Sequence, residues 1–200
     1  HSASGSVTVN AAPPPPACVG GQTLAAWNFD AAGLAGSPTP STNNVGTATA
    51  SSGLPAANLS FSGNPSVSGN SWASYGYGGP FDYPAARYLQ FTINTRNYQQ
   101  VQMNFAAYRK NQGPDLFYLY YSTTAVEPFS NTGGTFLPVP RTGGFGSYTY
   151  DFSGITNLSG NTYFRLYPYN AGSPDSNGGG FFLDNVSFTG CAIAQQPTLS

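Results

Sequence analysis

Glycine and proline punctuate this chain, 25 and 17 times in 200 residues, and no long stretch shows helical periodicity. In a helix interior glycine costs about 1 kcal/mol and proline about 3 kcal/mol relative to alanine. The intervals between them hold short runs rich in aromatic and β-branched residues, the pattern of an all-β sandwich or barrel. Leu89, Phe91 and Ile93 alternate with Gln90, Thr92 and Asn94, and Val101, Met103, Phe105 and Ala107 alternate with Gln102 and Asn104. A period of two puts one set on a buried face and the other in water. Strands are expected at 23–30, 58–62, 88–94, 100–109, 116–123, 135–139, 147–152, 162–169 and 181–190. Residues 31–57 read as a polar connection and 72–83 as an aromatic loop. Nine or so strands with loops that suit Greek-key connections predict an all-β jelly-roll sandwich.

Charge is scarce. Lys and Arg number 6 and Asp and Glu 7, so charged residues make up 6% of the chain, against about 25% in an average soluble domain. Six scattered cations cannot supply the clustered contacts that nucleic-acid binding requires, nor a polybasic membrane contact. No apolar run approaches the roughly 18 residues that would span a bilayer as a helix. Disorder is excluded by 14 Tyr, 14 Phe and 2 Trp, since disordered chains are poor in aromatics. Serine, threonine, asparagine, glutamine and tyrosine must keep the surface wet. Such a surface fits a secreted protein, extracellular or on a cell surface, packed closely against neighbours.

Three segments are expected. Residues 1–17 stand apart: Ser6-Val7-Thr8-Val9-Asn10 alternates like a short strand, and Pro13 to Pro16 follow as a stiff spacer of roughly 12 Å. A lone strand cannot satisfy its own backbone, so Val7 and Val9 are expected to insert as a donor strand into a neighbouring copy. Residues 18–191 form the body and 192–200 a tail. Cys18 and Cys191 are the two cysteines, and an even count in a secreted chain predicts a disulfide between them. Closing a loop of about 170 residues stabilises by roughly 5 kcal/mol in the chain-entropy model. The alternative is two unrelated buried thiols. No leader-type segment heads the sequence, as in a mature chain or an excised domain.

Trp27-Asn28-Phe29-Asp30, then Phe117 to Thr123, then Phe164-Arg165-Leu166 and finally Phe182-Leu183-Asp184-Asn185-Val186 occur in that order. This ordered set resembles bacterial secreted and surface jelly-roll modules, similar to carbohydrate-binding modules of galactose-binding-like fold. In 181–190 the more apolar alternation is Phe182, Asp184, Val186 and Phe188, which turns a carboxylate inward. That is costly unless the group is paired or metal-bound. Asp184 with Asp30 is therefore a candidate structural calcium site, which the resemblance supports; an ion pair with Arg165 or a cap on backbone amides is the alternative.

Catalysis has little material. The only histidine is His1, so a Ser-His-Asp arrangement has no internal base. The terminal copper site of lytic polysaccharide monooxygenases needs a second histidine. Glu127, Asp115 and Asp175 sit in proline-flanked turns rather than as a glycosidase pair. No catalytic residue is assigned. Trp72, Tyr75 and Tyr77 are candidate glycan contacts, with Phe81 and Tyr83 beyond them. Tyr118, Tyr120, Tyr163 and Tyr167 are a second candidate platform, because aromatic rings stack on the CH faces of sugars. Two functions follow. The first is an extracellular structural subunit that polymerises with copies of itself by donor-strand insertion; the alternative is a calcium-stabilised carbohydrate-binding or adhesive module of a larger secreted protein.

Overall fold

The structure is a computed structural model, and it describes residues 21–30, 33–62, 69–77, 81, 83, 87–132, 137–142, 144–155, 158–169, 171 and 179–193. Thirteen strands are present among them: β1 (Gln22–Trp27), β2 (Thr42–Asn43), β3 (Ala48–Ser52), β4 (Leu59–Ser62), β5 (Ser71–Tyr75), β6 (Leu89–Asn94), β7 (Tyr98–Asn111), β8 (Leu116–Ser122), β9 (Ser130–Asn131), β10 (Leu137–Pro138), β11 (Gly146–Asp151), β12 (Asn161–Tyr169) and β13 (Gly179–Ala192). They form two antiparallel sheets, the two layers of a jelly-roll sandwich. One runs β11-β7-β13-β1-β2, with β5 also on β13 and β4 on β5; the other runs β10-β8-β12-β6-β3, with β9 on β8.

The alternation read from the sequence sets the core. Leu89, Phe91 and Ile93 on β6, and Val101, Met103, Phe105 and Ala107 on β7, are all buried. Phe91 meets three rings from the facing sheet, Trp27 at 5.0 Å, Trp72 at 5.9 Å and Phe188 at 6.0 Å between centroids. Edge-on and tilted pairs of this kind add about 0.5–1.5 kcal/mol each beyond the area they bury.

β13 departs from the expected alternation. Phe181 and Leu183 face the core, and so do Val186 and Phe188, a step of three rather than two. The register against β7 shifts between Asp184 and Ser187, where Asn185 takes φ +48. This is a β-bulge, which adds a residue and turns the following side chains over. It coincides with a change of partner: β13 pairs with β5 through Gly180–Leu183 and with β1 through Val186–Gly190.

Two expectations fail locally. The connection 31–57 contains β3, whose inward residues are only Ala48 and Ala50, too small to mark a strand. The aromatic loop contains β5, and Trp72 on it is fully buried, its indole N–H donating to Ala35 O at 2.8 Å. Trp72→Ala should destabilise the fold by about 3–5 kcal/mol without changing the slope of a urea unfolding curve greatly; a loss under 1 kcal/mol would remove Trp72 from the core.

Candidate functional site

The outward face of the second sheet carries the densest cluster of polar and aromatic side chains. On β12 the residues that alternate with the buried Phe164 and Leu166 are Tyr163, Arg165, Tyr167 and Tyr169; on β8 they are Tyr118 and Tyr120. Register aligns Arg165 with Gln90 on one side and Tyr120 on the other, and Tyr167 with Tyr118. Phe81 and Tyr83 lie against these rings, Phe81 at 4.5 Å from Tyr118 and Tyr83 stacked at 4.6 Å on Tyr120. Tyr118 and Tyr169 stack at 5.5 Å with planes 13° apart. Tyr118, Tyr163, Tyr169, Phe81 and Tyr83 each stay half-buried, so part of every ring faces solvent.

Arg165 organises this face. Its guanidinium lies 3.9 Å from the centroids of both Tyr88 and Phe129, a cation–π contact on each side. Its Nε donates to Gln90 Oε1 at 2.8 Å, and its Nη1 is ion-paired with Glu127. The same carboxylate accepts from the hydroxyls of Tyr83 and Tyr167 and from the Phe129 backbone N–H. Burial raises the pKa of Tyr118, Tyr83 and Tyr167, and the Glu127 carboxylate pushes Tyr83 further. Tyr169 is pushed up to about 12, first by burial and then by Tyr118. These phenols therefore stay protonated across the physiological range, which keeps Tyr83 and Tyr167 as donors to Glu127.

A second polar cluster sits at the seam where β13 changes partner. Asp184 is 3% exposed, and its Oδ1 accepts from the Asn185 N–H at 2.7 Å. Asp30 follows β1 and Phe29, whose φ is +55, and its Oδ1 accepts from the Asn70 N–H at 2.7 Å. Burial, and then the nearby Asp30 charge, push the Asp184 carboxyl up to about 6 against the opposing Asn185 hydrogen bond. Arg165, offered as its counter-ion, is engaged with Glu127 instead. Gly69, at φ +108, makes room for this carboxylate: a Cβ there would fall 1.7 Å from Asp30 Oδ1. The Asp184 carboxylate and the nearby Asp30 are oxygen donors of the kind a hard divalent ion takes. Among the described residues no third His, Cys, Asp or Glu joins them, so further ligands would be carbonyl, amide or water oxygens.

The remaining candidates fall elsewhere. Trp72 and Tyr77 are core residues, Tyr77 3% exposed with its hydroxyl on Ser74 Oγ at 2.9 Å, and neither can stack on a ligand outside. Tyr75 is half-buried on the other sheet, edge-on to Phe182 at 6.1 Å. Burial thus removes Trp72 and Tyr77 from the first expected glycan surface, and Tyr75 alone of the three stays partly exposed. Val7, Val9 and Cys18 lie outside the described residues; Cys191 is on β13. Glu127, Gln90, Tyr88, Phe129 and Tyr169 were not singled out beforehand. Only Gln90 and Tyr169 had a signal, the alternation that put them on the outward faces of β6 and β12.

No family model matches the chain and no curated protein matches it. Among solved structures it is similar to the CBM22-1 xylan-binding domain of Xyn10C from Paenibacillus barcinonensis, at TM-score 0.54 and 11% identity over 89% of this chain and 100% of that one. A family 35 carbohydrate-binding module from Clostridium thermocellum matches at 0.37 and 10% over 72% and 92%. The K2 cleaved adhesin domain of Lys-gingipain matches at 0.41 and 12% over 71% and 82%. The chain has the β-sandwich fold of carbohydrate-binding modules, and at these identities the likeness is one of fold.

The Asp184 shift has a sign that experiment can read. An acid whose folded value, about 6, exceeds its ordinary 3.8 binds a proton preferentially in the folded state, so stability falls as pH rises through that interval. With chelator present, unfolding free energy should decline between about pH 4 and 6, and Asp184→Asn should flatten that decline. An unchanged slope in the variant would assign the effect to other groups.

Proposed function

We propose that the domain is a non-catalytic, secreted glycan-binding module whose ligand lies across the tyrosine face of β8 and β12. The observation that carries this reading is the partly exposed set Tyr118, Tyr163, Tyr169, Phe81 and Tyr83 above the Arg165–Glu127–Gln90 network. Ring faces match the CH surface of a pyranose, and the phenols with the half-buried Gln90 amide match its hydroxyls. The shared sandwich fold with a xylan-binding domain supports the same reading. The one glutamate is committed to Arg165 and three further donors, which supports binding rather than acid–base chemistry.

Asp30 and Asp184 would hold a structural calcium ion, bridging the end of β1 to the bulge of β13. The buried Asp184 carboxylate, raised in pKa in part by the nearby exposed Asp30, supports this, because a divalent cation would keep both ionised. Added calcium should then abolish the pH-dependent decline described above.

Assembly by donor-strand insertion is the second reading. The outer edges of β3 and β11 end the two sheets among the described residues and offer unpaired backbone to an added strand. Negative-stain microscopy of the full chain decides it: filaments lost on deleting residues 1–12 would support insertion, and monodisperse particles would end it.

The binding reading predicts that Tyr118→Ala and Tyr169→Ala each weaken retention by a soluble β-linked polysaccharide by about two- to tenfold, from stacking worth about 0.5–1.5 kcal/mol. Affinity electrophoresis over a polysaccharide panel measures this. Equal mobility of wild type and both variants on every glycan that retards the protein would sink the tyrosine face as the site.

A further inference from the structure

At the end of the sandwich away from Tyr118 and Tyr169, two connections cross between the sheets: the turn from β6 to β7 and the segment from β11 to β12. A cleft of about 640 Å³ opens between them, and a second of about 420 Å³ lies on the other side of the same turn. Arg96, Asn97, Tyr98 and Ile193 belong to both. Both volumes fall within the roughly 300–1,000 Å³ usual for small-molecule sites. The floor of the larger cleft is apolar, with Val101, Phe152 and Leu158 buried beneath it. Its rim combines the amides and hydroxyls of Asn97, Gln99, Gln100, Ser153 and Ser159 with the apolar Ile155 and the exposed Ile193.

Charge distinguishes this cleft. Arg96 is exposed on the rim and has no carboxylate partner among the described residues. Among the described residues no Asp or Glu lines either cavity; Asp151, close by in the chain, accepts from the Ser153 N–H. In a chain with only six cations, an unpaired guanidinium over neutral amides gives the cleft a local positive charge. The backbone supports a built site independently. Asn97 has φ +69 and Gln100 φ +53, left-handed geometry that costs a non-glycine residue about 1–2 kcal/mol. Such strain gathers at ligand clamps. The register of β13 also shifts between Thr189 and Cys191, opposite this stretch.

We propose that this cleft is a second binding site, which takes a carboxylate-bearing sugar residue of an acidic glycan. Arg96 meets the carboxylate, and the rim amides and hydroxyls meet the ring hydroxyls. The proposal rests on the glycan-binding reading for its ligand class but not on the tyrosine face for its residues. The two lie toward opposite ends of β12, whose nine residues span roughly 26 Å.

The test is calorimetric titration of the full chain with a tri-galacturonate and with its methyl ester. Loss of a charge-assisted contact should weaken binding by about tenfold or more. That loss is expected for Arg96→Gln with the acid and for wild type with the ester, while Tyr118→Ala binds the acid as wild type does. Arg96 is exposed, so the variant is expected to keep the wild-type melting temperature, which a thermal melt of the same sample checks. Equal affinity of Arg96→Gln, equal affinity for the ester, or no binding of the acid at millimolar concentration would overturn the proposal. Loss of acid binding in Tyr118→Ala would overturn it by moving the ligand to the tyrosine face. A neutral glycan insensitive to Tyr118→Ala would instead overturn only the tyrosine-face reading.

Discussion

The sandwich depends on how β13 is hydrogen-bonded. This strand pairs with β7 along its length and shares its other edge between β5 and β1. The last strand of the body therefore draws the first, a middle and a long central strand into one layer. Two strands cannot share one edge in continuous register, because each must turn away where the other begins. The bulge at Asp184–Asn185 absorbs that break and lets Phe181, Leu183, Val186 and Phe188 all reach the core. The break also leaves room for a buried carboxylate where an unbroken ladder would have placed a neighbouring strand. The Asp30–Asp184 cluster is thus a consequence of the topology.

Scarcity of charge makes the placement of each ionised group informative. Arg165 and Glu127 are held in one aromatic-walled network on the second sheet, which ties the turn around Glu127 and the ring of Tyr83 to β12. The surroundings of that network are phenols and an amide, neutral groups that both donate and accept. Arg96 stands at the other end without a carboxylate partner among the described residues. A surface of this kind discriminates by hydroxyl pattern and ring stacking far more than by net charge, and the one exposed guanidinium on a cavity rim is where charge would matter.

How much of this was legible beforehand follows local periodicity. β6, β7, β8, β11, β12 and β13 were visible because large apolar residues alternate over five or more positions. β3 was not, since alanines carry little hydrophobic signal, and β5 was not, since Ser71, Ala73 and Ser74 beside Trp72 and Tyr75 look like a loop of exposed rings. The inward turn of Asp184 was inferred from a period of two that the bulge breaks; the residue is buried all the same, because the seam and not the alternation hides it. Glu127 carried no signal at all. Its partner Arg165 is 38 residues away, and only strand pairing brings them together.

The amino-acid sequence by itself determined the all-β class, the inward residues of β6 and β7, the tyrosines that share the outward face of β8 and β12, and the poverty of charge. These are properties of composition and of neighbours two residues apart, so they need no knowledge of the fold. Tertiary structure alone decided that Trp72 is core rather than contact, that Arg165 meets Glu127, that Asp30 approaches Asp184, and that Arg96 overlooks a cleft. Each depends on which strand edges meet across tens of residues, and backbone hydrogen bonding is nearly indifferent to the side chains it brings side by side.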